Sequence, residues 1–248
     1  MVLYAENEIG FIYKNGAYET KKVSELSKVD AETIEYIYMG GYPTKRVTDE
    51  ETIAKLNKTS FKSEGTAMLN GVRYNKVNYQ EADGSIKVLY YINEALKWKV
   101  LNIEDGVLTL ITDRIIDFEP IKKEASSVTW SDSKLKGWLE TNFRNTTFTD
   151  REKKLLEGNP DMLKESELSL NGVSLRSSCT DYARMGYNFG NAFYDAYAAA
   201  EWWLKPESDE NLSEYRYVAS DGSISDSKVE ETERKGVRPV SKIRMSVS

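Results

Sequence analysis

Asx-Gly dipeptides punctuate this chain, among them Asn15-Gly16, Asp83-Gly84, Asp105-Gly106 and Asp221-Gly222. An Asx-Gly pair accepts the positive backbone angles of a tight turn, so such pairs push the apolar, alternating runs beside them into antiparallel hairpins. The first pair centres a hairpin over residues 9–18. The second joins strands at 72–79 and 86–92, and the third joins a cleanly alternating run at 96–101 to 107–112. The fourth follows a strand at 215–219. A last strand is expected at 237–243.

Between these ribbons lie short helical signals. Thr48 or Asp49 caps a helix carrying Ile53, Ala54 and Leu56. Residues 131–143 place Leu135, Trp138 and Leu139 on one face, Thr149 opens a helix with Leu155 and Leu156, and Thr180-Asp181-Tyr182-Ala183 starts a helical turn. Ile34 begins a strand that Gly40-Gly41-Tyr42-Pro43 is expected to break. Residues 23–26 read as a polar link and 58–71 as a polar loop. Strands with interspersed helices, and no βαβ alternation, give an α+β class. The 248 residues are enough to bury a sizeable core.

Histidine is absent and Cys179 is the single cysteine. Ser-His-Asp and Cys-His nucleophiles, nearly all zinc sites and any internal disulfide are thereby excluded. Cys179 itself reads as a small buried residue. The net charge of −6 disfavours a polyanionic partner, so no nucleic acid is expected. Asp221, Ser223, Ser225 and Asp226 read as a turn rather than a calcium loop. No metal or cofactor is expected. No run of about 18 apolar residues exists, so no membrane span is expected. The opening Met1-Val2-Leu3-Tyr4-Ala5-Glu6 lacks the basic and apolar regions of a signal peptide. The expected compartment is the cytoplasm, or the cell surface if a leader has been removed.

Several segments, in order, resemble a bacterial family of domains related to C-type-lectin-like and formylglycine-generating-enzyme-like folds. They are Ile37-Tyr38-Met39-Gly40-Gly41-Tyr42-Pro43 with Val47-Thr48-Asp49, Lys97-Trp98-Lys99-Val100-Leu101 with Ile116-Asp117, and Trp130-Ser131 with Trp138-Leu139. Arg176, Thr180-Asp181-Tyr182-Ala183, Trp202-Trp203-Leu204-Lys205 and Gly236-Val237-Arg238-Pro239 complete the series. The resemblance implies small twisted antiparallel sheets with flanking helices and long irregular loops. It divides the chain into an N-terminal hairpin, 1–33, and a lectin-like domain, 34–248. The calcium motifs of sugar-binding lectins are absent, and the copper-holding cysteine pair of the oxidising enzymes is reduced to one cysteine. Neither chemistry is therefore carried over.

Of Trp202 and Trp203, alternation lets only one face a given core, so the other must be exposed or covered by a loop. Trp98 and Trp138 are expected in the core. Arg238 is expected to be structural, paired with a buried carboxylate.

The resulting expectation is a non-catalytic recognition domain of a bacterial or phage-derived protein, binding a protein or a glycan. Its contacts are expected from Tyr187, Asn188, Phe189, Asn191, Tyr194, Tyr197, Tyr215 and Arg216, because Tyr and Asn suit adaptable binding loops. One alternative is a hydrolase working through carboxylates and tyrosines. Its mark would be a pocket holding two close acids with perturbed pKa values. Another is an intracellular interaction module using residues 1–33, marked by an apolar patch near the first hairpin.

Overall fold

Strand β6, Ile86–Glu104, is 19 residues long and organises the larger of two main sheets. The computed structural model describes residues 8–81, 83–122, 128–170, 172–186, 199–210, 212–228 and 233–245. β6 covers both runs expected as separate strands, 86–92 and 96–101. It stays continuous because three neighbours share its length: β5 (Val72–Gln80) takes its start, β3 (Ile34–Arg46) its middle and β7 (Val107–Thr112) its end. The sheet is extended by β1 (Glu8–Tyr13) and β2 (Tyr18–Lys22) beyond β3, by β4 (Thr66–Leu69) beside β5, and by β15 (Val240–Arg244) beside β7. All pairings in it are antiparallel.

Gly16, Gly84, Gly106 and Gly222 of these Asx-Gly turns all have positive φ, as the turns require. The link at 23–26 is instead part of a 3-10 turn, Val23–Lys28, that buries Leu26. The loop at 58–71 contains β4. The N-terminal hairpin is continuous with the sheet through β1 and β3, and Ile9, Phe11 and Leu26 sit fully buried in the main core.

Gly40-Gly41 does not end β3 but bulges it. Gly40 has φ +73, and a Cβ there would meet Thr147 Cγ2 at 2.7 Å and Phe148 at 3.0 Å. Its N–H turns out of the ladder to Oε1 of the buried Glu152, at 2.8 Å. Glu152 belongs to helix α4 (Asp150–Lys153), where its other oxygen accepts from the backbone N–H of Thr149 in a capping box. One carboxylate thus satisfies a helix end and a strand bulge.

The second sheet has five strands, in the order β13 (Ile224–Lys228), β12 (Glu214–Val218), β11 (Trp202–Trp203), β14 (Arg234–Val237), β8 (Asp117–Pro120). The parallel step between β11 and β14 brings backbones close at Gly236, where a Cβ would lie 2.8 Å from the Glu201 carbonyl. The closing strand expected over 237–243 is split. β14 ends at Val237 in the second sheet and β15 starts at Val240 in the first. Arg238-Pro239 crosses between them.

Trp202 and Trp203 are both fully buried because this sheet is covered on both faces. Trp203 joins the main core with Trp98, while Trp202 joins a second cluster with Phe118, Ile115 and Leu204, closed over by Leu168, Leu170 and Leu175. Each indole N–H has an acceptor: Trp98 bonds the Met39 carbonyl, Trp202 that of Leu175 and Trp203 that of Glu119, all at 2.9 Å. Trp138 departs from expectation. It is only half-buried and lines a cleft. The chain is α+β with mostly antiparallel sheets, and among the described residues no helix is long and apolar enough to cross a membrane.

Candidate functional site

The helical segment after β8 carries most of one wall of a cleft of about 610 Å³. Ser133 caps helix α2 (Lys134–Trp138), a π-helical turn covers Leu139–Phe143, and α3 (Arg144–Thr147) follows. The wider π turn, a feature often found at functional positions, brings Trp138, Asn142, Asn145 and Thr146 along one side of the opening. Phe143 stacks on Trp138 at 5.6 Å between centroids and anchors it to the core.

The floor is built from β3 and β8. Strand alternation puts Asp117 and Glu119 on one face of β8 and Phe118 on the other, in the second core cluster. Past the Gly40 bulge, Tyr42 reaches Asp117, donating from its hydroxyl to Oδ2 at 2.6 Å. Asp117 Oδ1 accepts from the Phe118 N–H at 2.8 Å. Tyr182, on helix α5 (Asp181–Gly186), meets the Tyr42 ring edge-on at 5.8 Å. The far wall comes from the β4–β5–β6 ribbon: Arg73, Asn75 and Asn93. Asn93 is 5% exposed. Its amide nitrogen donates to Asn75 Oδ1 at 3.0 Å, whereas its own Oδ1 has no hydrogen-bond partner among the described residues.

Electrostatics set this floor apart. Burial pushes the Asp117 carboxyl up to about 6, against the pull of the Tyr42 and Phe118 hydrogen bonds. Glu119 is also raised, again chiefly by burial, with Lys134 and Arg234 opposing. Lys134 lies 3.6 Å from Glu119. Tyr42 is held well above the ordinary phenol range by burial and by the neighbouring Asp117, so it stays a hydrogen-bond donor. Two desolvated acids beside phenols can bind hydroxyl-rich groups or exchange protons near neutral pH.

The expected contacts fall elsewhere. Tyr187, Asn188, Phe189, Asn191, Tyr194 and Tyr197 lie outside the described residues. Tyr215 was expected on a binding surface and is instead 1% exposed, with its hydroxyl donating to the Val128 carbonyl at 2.9 Å. The correction follows from strand parity: its side of β12 faces the main core. Arg216 points the other way, into solvent, and pairs with Glu165 and Asp226. Neither lines the cleft. Cys179 is buried, and burial pushes its thiol up to about 12, so it is no nucleophile. Asp221 accepts from both the N–H and the hydroxyl of Ser223, which is the bonding of a turn.

The signal for Asp117 and Glu119 stood in the run Ile115-Ile116-Asp117-Phe118-Glu119-Pro120-Ile121, where two acids alternate inside an otherwise apolar strand. Acids in such a run must be buried or face a cavity. Comparison with protein-family models, with curated proteins and with solved structures gives no match for this chain.

Proposed function

We propose that this chain is a glycan-recognition domain on a C-type-lectin-like scaffold, and that the cleft over Asp117 and Glu119 is its binding site. The observation that carries the reading is the composition of that cleft: a half-buried Trp138 beside carboxylates, amides and hydroxyls. Sugars present an apolar C–H face and a rim of hydroxyls. A ring stacks on the first, and Asp, Glu and Asn side chains accept and donate to the second. A flat protein surface would not fill a concave polar cleft of this size. Two mostly antiparallel sheets, short helices and long irregular connections support the lectin-like part of the proposal.

Trp138 supplies the probe. Its fluorescence should change saturably when chitohexaose, cellohexaose, mannohexaose or maltohexaose is titrated in, for at least one of the four. Trp138→Ala and Glu119→Gln should each weaken that binding by about tenfold or more, since a lost charged hydrogen bond is worth about 1.5–3 kcal/mol and a lost stacking contact about 0.5–1.5 kcal/mol beyond the area it buries. No saturable change with any of the four sugars, or binding abolished by Arg216→Ala but untouched by both cleft variants, would remove the cleft as the site.

A further inference from the structure

We propose that the cleft cleaves the glycan it holds, with Asp117 as proton donor to the glycosidic oxygen and Glu119 as the base that activates water. This rests on the glycan reading above and adds a reaction to it. Asp117 and Glu119 occupy alternate positions on β8, so both point to one face, about 6.6 Å apart at Cα for two strand steps. A single displacement at an anomeric carbon needs two carboxyls on one stretch of bound sugar, one as acid and one as base with a water beside it.

The surroundings then divide the two roles. Asp117 has no cation in contact among the hydrogen bonds and ion pairs of the described residues, and its partners are the Tyr42 hydroxyl and the Phe118 N–H. Glu119 has Lys134 within 3.6 Å. Arg234 pulls on both acids, so it is Lys134, paired with Glu119, that separates them: Asp117 is the one that keeps its proton and Glu119 the one that stays ionised. The other ionisable groups lining this cleft are Tyr42, Tyr182, Arg234, Glu64 and Arg73. Asn93 marks the cleft as a place for a ligand independently of the acids: it is 5% exposed, lines the same space, and leaves its Oδ1 without a donor among the described residues. A sugar hydroxyl is a donor of the right kind.

The step balances as a hydrolysis. Asp117 gives its proton to the bridging oxygen as the bond from that oxygen to the anomeric carbon breaks. The oxygen of one water bonds to that carbon, and Glu119 takes the proton that the water loses. One linkage and one water become two hydroxyls. Proton exchange with solvent then returns Asp117 to its acid form and Glu119 to its base form.

The test incubates the intact chain with chitohexaose, cellohexaose, mannohexaose and maltohexaose in water enriched in the heavy oxygen isotope, and follows products by mass spectrometry. Binding of each sugar is measured in parallel by fluorescence. The expected result is new reducing ends carrying one heavy oxygen, from a sugar that also binds. The rate should fall as pH rises through about 6, where the acid loses its proton. Asp117→Asn and Glu119→Gln should each lose at least a hundredfold in rate, with Asp117→Asn still binding. Binding with no cleavage over a day, or cleavage left intact in both variants, overturns the proposal and leaves the recognition reading standing. No binding of any of the four sugars overturns both. The wild-type isotope result holds the proposal falsifiable even if one variant fails to fold.

Discussion

Burial lifts the Asp117 carboxyl to about 6, from 3.8 for the free side chain. The folded state therefore binds a proton that the unfolded chain has already released in that interval. Its contribution to stability is complete below the unfolded value and is lost as pH rises through the folded one. Wild type should lose stability between about pH 4 and about pH 6 through this group, and the raised Glu119 adds a loss of the same sign. Asp117→Asn removes the titration but keeps an acceptor for Tyr42. Relative to wild type it should gain about 1–3 kcal/mol on going from about pH 4 to about pH 7, since one pKa unit corresponds to about 1.4 kcal/mol. Urea unfolding of both proteins at the two pH values checks this, and parallel pH dependences would show that Asp117 is not desolvated. The sequence carried the two acids plainly, in alternation with Phe118. It did not single them out, because nothing near them in the chain marks a partner. Tyr42 lies 75 positions away.

At the scale of elements, hairpins and helix starts were legible, since turn and cap chemistry is local. Asp49 and Thr149 each accept from a backbone N–H of the first helical turn, the helix expected from 131 starts instead behind Ser133, and the Asx-Gly pairs sit where the chain reverses. What failed was Gly40-Gly41 as a strand breaker. Glycine does break strands when nothing outside holds the backbone. Here the Gly40 N–H has Glu152, 112 positions on, and the strand continues past the kink to place Tyr42 in the cleft. Gly40→Ala should cost about 2–4 kcal/mol, combining left-handed backbone strain with the overpacking of Thr147 and Phe148. Glu152→Ala should cost a similar amount, because it strands two N–H groups that it now satisfies, those of Gly40 and Thr149. Thermal or urea unfolding reads both. A Gly40→Ala protein as stable as wild type would mean that the bulge is not built as described.

Over the whole molecule, the two sheets are tied together where the sequence suggested a single closing strand. Val237 belongs to one sheet and Val240 to the other, and the pattern of apolar residues across 237–243 is the same whether the chain runs straight or crosses. Arg238, in that crossing, is 2% exposed. A buried carboxylate was its expected partner. Instead Nε and Nη2 donate to the Thr112 carbonyl at 3.3 and 3.0 Å, Nη1 donates to that of Ser174 at 2.7 Å, and the guanidinium lies 4.8 Å from the Trp202 ring centroid. Burial pulls its pKa down to about 10, with Asp113 opposing, so it is charged at neutral pH. One side chain therefore joins the end of β7, the loop that covers the second core cluster, and the Trp202 face of the smaller sheet. Arg238→Ala should cost about 3–5 kcal/mol, the scale for removing a fully buried charged group that satisfies several acceptors. Arg238→Lys separates charge from shape. An ammonium keeps the charge but cannot fork to Thr112 and Ser174 from the same position, so it should recover less than half of the loss. Equilibrium unfolding followed by tryptophan fluorescence measures all three proteins, with Trp202 and Trp203 reporting on opposite faces of the same strand. A loss below about 1 kcal/mol in Arg238→Ala, or full recovery in Arg238→Lys, would show that hydrophobic packing across the two clusters holds the sheets together and that the guanidinium fork adds nothing.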